Sequence, residues 1–492
     1  MVAYSPGPHP QPPLPRGEGE AERDVSTPKP LGSPLPSLVG EGGRRPGEVP
    51  RMGYSRWDAV SRVIHAAKVA RILFGDGGDL EIMGKRSYRR FHAAPGVILL
   101  LTLLVLLAGC DPLGAITGEG ATATPGAAGS PTPASNLDQR IDAYIATLTP
   151  TQQIGQTLML AVYADGYNAD LDQALTQWDL GSAIIFPNYN GGAVMPTTRD
   201  GMRQLIHDLQ AHAQTPLLLA TDEEGGEVDR LSFYYGATPS PQALAATGDP
   251  RQAFNQAQTD AQNMRDLGLN VDFAPLADVS QGDGIDPSRT FGTTPDAVAT
   301  YAGAFLDGLQ QNGVAGTLKH WPGLGASSGN PDFTLPTVTH SQAELNAIDF
   351  APYRQLLSHQ PGMIMVTHVI VPAYDAQNPA SLSPTLVRQV LRGQLGYQGV
   401  VVTDAMDAQG LIQYMRQQGY SDPAQGVAEA CVRAFLAGDD LIEAPIEQDR
   451  LAAVVSAMTQ AVASGRIPQA RLHEALHRII ALKVRLGLLK LP

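Results

Sequence analysis

Cysteine is almost missing from this chain of 492 residues: there are two, Cys110 and Cys431. Neither a disulfide scaffold nor a cysteine zinc site can be built from that number. Basic charge is scarce as well. The 34 Lys and Arg face 48 Asp and Glu, a formal net charge of −14, which argues against a nucleic-acid partner because phosphate needs a basic face. Long apolar runs are lacking except at 97–107, which is short for a membrane span. No metal or organic cofactor is implied by any pattern in the chain.

What is present divides the chain into four parts. Residues 1–82 are dense in Pro, Gly, Arg and Glu, and the first fifty carry no apolar period. That is the composition of a segment with too little apolar surface to order itself. At 83–110 a basic start (Lys85, Arg86, Arg89, Arg90) leads into the aliphatic stretch and ends in Leu107-Ala108-Gly109-Cys110. Charged start, short apolar core and small residues make an export signal. Its last four residues resemble a bacterial lipoprotein signal, in which Cys110 becomes a lipid-modified terminus, so the protein is expected to be lipid-anchored to the outer face of the cell membrane. A signal belongs at the start of a chain, which makes Met83 the expected initiator and 1–82 an upstream extension. Residues 111–135 form a Gly/Ala/Thr/Pro linker of the flexible kind. The folded domain is expected at 136–492.

Within that domain short apolar runs alternate with amphipathic ones. Strands are predicted at 157–162, 182–186, 216–220, 271–274, 314–318, 363–366, 400–403 and 440–443, and helices at 199–213, 241–267, 296–311, 344–357, 385–395 and 425–437. Such alternation implies parallel strands with crossover helices. Eight strands over this length fit a (β/α)8 TIM-like barrel, an α/β fold with a single catalytic domain.

Titratable residues gather at one place in these units. Asp222, Lys319-His320, His368 and Asp404 each stand just past the carboxyl end of an apolar run, the end at which a barrel assembles its active site. A single such residue reads equally well as a helix cap. Four at the same end of successive units point to a catalytic face.

Five stretches carry a resemblance: Asp222-Glu223-Glu224-Gly225-Gly226 with Arg230; Asn270-Val271-Asp272-Phe273-Ala274-Pro275; Ser288-Arg289-Thr290-Phe291-Gly292; Lys319-His320-Trp321-Pro322-Gly323; and Val402-Thr403-Asp404-Ala405-Met406. In this order they resemble the motif series of glycoside hydrolase family 3, in particular its single-domain bacterial β-N-acetylhexosaminidases. The resemblance implies hydrolysis of terminal β-glycosidic bonds with Asp404 as the nucleophile of a retaining mechanism. It also implies sugar contacts from Asp222, Arg230, Arg289, Lys319 and His320, and a carbohydrate partner of the amino-sugar, cell-wall or chitin type. For His368 both sugar contact and structural support fit; Asp272 and Asp278 are expected to brace the barrel mouth.

The chain departs from that pattern in the loop 319–336. Where the resemblance implies an Asp-Ser-His, with His as acid/base, the sequence has Asn330-Pro331-Asp332. Three readings follow: Asp332 serves as acid/base with a raised pKa; another acid such as Glu223 or Glu224 serves, or the substrate needs little protonic help; or the protein has lost turnover and is a surface-anchored sugar-binding barrel. A two-lobed solute-binding protein would share the anchor but not the motif series.

Overall fold

The computed structural model describes residues 136–492, apart from 188–194, 283 and 445–447. The expectations for 1–82, for 83–110 with Cys110 and for the linker 111–135 lie outside the described residues.

The eight predicted runs are the eight strands of one parallel sheet: β1 (Leu158–Val162), β2 (Ser182–Ile185), β3 (Leu218–Thr221), β4 (Val271–Asp272), β5 (Ala315–Trp321), β6 (Met363–Val366), β7 (Val400–Thr403) and β8 (Ile442–Ala444). Each strand pairs with the next in the chain from β1 to β7, and β8 pairs with β1. A parallel bridge between Val402 and Leu441 joins β7 to β8 and closes the ring. The fold is a (β/α)8 barrel, since parallel neighbours have to be linked by crossovers over the outside.

Two cores follow from the pleat. Met159, Ala220, Phe273, Met365 and Val402 point inward and pack with Ile479 and Leu482 of the helix Gln469–Arg485. The residues between them, such as Leu160, Leu219, Ile364 and Val401, pack against the helical layer. Side chains alternate in direction along a strand, and here both faces are buried. That is why the strands read as unbroken apolar runs.

Three helical expectations are corrected, one of them the segment at 385–395, which is π-helical over Thr385–Gln394. The pattern at 241–267 is two helices, Pro241–Ala246 and Pro250–Leu267. Gly248, at φ +73°, turns the chain, and the Asp249 side chain caps the second helix at the Arg251 amide with Pro250 in its first turn. The segment predicted at 344–357 changes winding, with a π-helical stretch Leu345–Asp349 before the α-helix Phe350–Leu356.

Candidate active site

On β7, Val400 and Val402 face the barrel interior, so the alternation carries Asp404 into the mouth. Its carboxylate accepts the Ala405 N–H at 2.9 Å and the Thr367 O–H at 2.8 Å. Burial opposes the charge, but His368, His320 and these two donors outweigh it and hold the carboxyl below the usual Asp range. Asp404 is therefore an anion with its orientation fixed by two donors.

Beside it lies a cluster of two cations and two carboxylates. Lys319 Nζ stands 2.8 Å from Asp222 Oδ1 and 2.7 Å from Glu224 Oε1. Arg289 donates to both Glu224 oxygens, from Nε and Nη2, at 2.7 Å each. The Glu224 side chain is wholly shielded from solvent. Burial alone would raise its pKa, yet Arg289 and Lys319 bring it down to about 2. It has no proton to give near neutral pH, which corrects the reading of Glu224 as an alternative acid. Glu223 is no candidate either: it does not line the cavity, and its Oε2 accepts the Leu231 N–H at 2.9 Å.

A cavity of about 810 Å³ at the barrel mouth brings together Asp222, Arg230, Arg289, Lys319, His320, Asp332 and Asp404. His320 Nδ1 is 2.7 Å from Asp278 Oδ2, and Asp278 also accepts the backbone N–H groups of His320 and Leu324. Asp272 accepts the Glu223 N–H at 2.9 Å. These two aspartates tie strand ends and loops to one another, as expected of bracing residues.

His368 is placed elsewhere. It is fully buried and absent from the cavity wall. Its Nε2 donates to the Ala405 carbonyl at 2.9 Å, and its Nδ1 meets the Ser381 hydroxyl at 2.7 Å. The pleat of β6 gives the reason: Met363 and Met365 point inward and Val366 outward, so Thr367 faces the cavity side and His368 turns behind it. His368 is a support that fixes Ala405 and helps to lower the Asp404 pKa. That geometry favours structural support over sugar contact.

The loop 319–336 folds against the start of the helix Gln409–Gln417. The Gln409 and Gly410 amides donate to the carbonyls of Asp332 and Pro331, both at 3.2 Å, and Asn330 Oδ1 accepts the Asp332 N–H at 2.8 Å. Although Asp332 is exposed at the rim, the atoms crowding its carboxyl and the charge of Asp404 raise its pKa above the usual Asp value. His340, the next histidine along the chain, bonds Asp349 at 2.8 Å and does not line the cavity. Two further residues at the mouth have no place in the sequence expectations: Thr367, which bonds Asp404, and Glu443, which lines the cavity from β8. Among the described residues no group of three or more His, Cys, Asp or Glu is arranged to hold a metal ion.

The profile of the Glycosyl hydrolase family 3 N terminal domain matches residues 149–482. Beta-hexosaminidase LpqI of Mycobacterium tuberculosis is 33% identical over 387 residues, which cover 76% of this chain and 92% of that protein. The solved structure of M tuberculosis LpqI superposes with a TM-score of 0.61 at 30% identity, covering 70% of this chain and 96% of the other. A glycoside hydrolase family 3 beta-N-acetylglucosaminidase from Paenibacillus sp. str. FPU-7 gives a TM-score of 0.62 at 32% identity, covering 70% of this chain and 63% of that one. With the barrel, the ordered strand-end residues and these matches in agreement, the chain belongs to glycoside hydrolase family 3.

Proposed function

We propose that this protein is a retaining β-N-acetylhexosaminidase that removes terminal β-linked N-acetylglucosamine, with Asp404 as nucleophile and Asp332 as acid/base. One observation carries the assignment: two carboxyls in a single cavity have pKa values pushed in opposite directions, Asp404 down and Asp332 up. That asymmetry separates a nucleophile from a proton donor. In the first step the Asp404 carboxylate bonds the anomeric carbon while Asp332 gives its proton to the leaving glycosidic oxygen. In the second, the Asp332 carboxylate takes a proton from water, whose oxygen displaces Asp404 from the same carbon.

The sugar class draws support from the relatives named beta-hexosaminidase and beta-N-acetylglucosaminidase. Asp222 suits acceptance of hydrogen bonds from ring hydroxyls, and Arg230, Arg289, Lys319 and His320 suit donation to them. The absence of a histidine from Asn330-Pro331-Asp332 favours one second reading, a sugar-binding barrel with impaired turnover. Aryl glycosides separate the two. Release of aglycone from the aryl N-acetylglucosaminide by the wild type, lost in Asp404→Asn, supports the hydrolase; binding of N-acetylglucosamine without release from any aryl sugar supports the binder.

Cys110 fits a lipid anchor that keeps the barrel on the outer face of the membrane, supported by the basic, aliphatic and Leu-Ala-Gly-Cys succession at 83–110. In the cell-made protein, Cys110→Ala is expected to shift the enzyme from the membrane to the soluble fraction. Equal membrane retention would contradict the anchor.

A further inference from the structure

Glu443 is a carboxyl where the barrel interior would accept an aliphatic side chain. On β8, Leu441 points into the barrel and Ile442 away from it, so the alternation returns Glu443 to the inside. Leu441 bridges Val402 in parallel, and two residues further along both strands Glu443 stands beside Asp404. On its other flank Glu443 is in register with Met159 of β1. Its backbone is fastened to the nucleophile's strand end: its N–H donates to Thr403 Oγ1 at 3.0 Å, and its carbonyl accepts the Met406 N–H at 3.2 Å.

Among the described residues the side chain itself has no such partner. Glu443 is 5% exposed, its carboxyl lines the cavity, and no described residue hydrogen-bonds it. Burying an unpaired carboxyl costs stability, and an aliphatic side chain would fill the position without that cost. Burial, followed by the carboxylates of Asp404, Asp222 and Asp407, drives its pKa well above the usual Glu value, with Lys319 opposing them. That shift favours the protonated form, in which a carboxyl can donate one hydrogen bond and accept others.

We infer that Glu443 is a further substrate-contacting residue, which hydrogen-bonds a hydroxyl of the terminal sugar when that sugar lies against Asp404. The inference rests on the hydrolase reading above. A bound sugar would supply a hydroxyl partner for that side chain, and the neighbouring carboxylates of Asp404, Asp222 and Asp407 disfavour a further anion beside them.

Three proteins test it: wild type, Glu443→Gln and Glu443→Met. For each, the Kd for N-acetylglucosamine is measured by calorimetry, kcat and KM on an aryl N-acetylglucosaminide, and Tm. The amide of Glu443→Gln keeps a donor and an acceptor, and its Kd is expected within about threefold of wild type. Glu443→Met removes both, and its Kd is expected to rise at least about tenfold, the loss of one hydrogen bond from a buried site, while its Tm stays level or rises. Wild-type Kd in Glu443→Met overturns the inference alone. Equal losses in Glu443→Gln and Glu443→Met overturn it too, because an ionised carboxyl would then be at work. Selective loss of Glu443→Gln activity on poor leaving groups, restored by azide, overturns it in favour of a proton-transfer role. A wild type that neither binds nor cleaves overturns the hydrolase reading and this inference together.

Discussion

Arg289 holds Glu224 through two parallel hydrogen bonds of 2.7 Å, Nε to Oε2 and Nη2 to Oε1, across 65 residues of chain. Lys319 shares the same carboxylate and extends the pair to Asp222. Both Lys319 and the Glu224 side chain are buried, so the cluster is a fixed arrangement and not a solvated surface pair, which would contribute little.

Glu224→Gln tests this arrangement. It removes one charge and leaves Arg289 and Lys319 facing each other across a buried amide. Breaking one side of a buried ion pair costs about 3 kcal/mol, and urea denaturation is expected to show a loss of that order. Misaligned sugar contacts are expected to lower kcat/KM by about 100-fold. A variant with wild-type stability and kcat/KM would show that the cluster does not organise the site.

On the proposed mechanism the pH profile follows from the two carboxyls. Asp404 must be ionised to attack, and its pKa is lowered, so kcat/KM is expected to rise with pH through a limb below the usual Asp value. Asp332 must be protonated to assist departure, and its pKa is raised, so the descending limb is expected above the usual Asp value. The limbs belong to the pair, because the two groups interact. In Asp332→Ala the descending limb is expected to vanish, activity to persist on aryl glycosides with good leaving groups, and azide to accelerate turnover. His368→Leu removes a neighbour that lowers the Asp404 pKa and is expected to move the ascending limb to higher pH. An unchanged profile in Asp332→Ala would remove Asp332 from proton transfer.

Gly410 sets how closely the loop that carries Asp332 sits. A Cβ there would lie 2.4 Å from the Thr334 carbonyl oxygen and 2.7 Å from that of Pro331, so Gly410→Ala has to push the loop outward. Displacement of the order of 1 Å costs about 100-fold in a well-aligned reaction. The loss is expected on poor leaving groups, where the proton counts, with dinitrophenyl glycosides largely spared. Equal losses on both substrate types would show that the loop does more than deliver Asp332.

Much of this site was legible before any coordinates. Asp222, Lys319 and Asp404 follow apolar runs that had to be buried strands, and buried parallel strands close into a barrel whose carboxyl end collects polar groups. Counting the pleat along those runs would have gone further. Period two from Met363 and Met365 makes Thr367, not His368, the inward residue, and the same count on β8 makes Glu443 inward. Pairing across the mouth was not legible. Nothing local assigns Arg289 to Glu224 or Asp278 to His320, since those partners are chosen by closure of the ring and by loops that cross it. The break in the helical run 241–267 was written in Gly248-Asp249-Pro250, a turn residue, a cap and a first-turn proline.

The assignment of Asp404 as nucleophile is tested most directly by the mass of the enzyme after reaction with a dinitrophenyl glycoside of a 5-fluoro N-acetylglucosamine, which slows breakdown of a glycosyl-enzyme. Peptide mapping is expected to find one sugar per protein, on the peptide containing Asp404. Turnover with no adduct, or an adduct on any other residue, would contradict it.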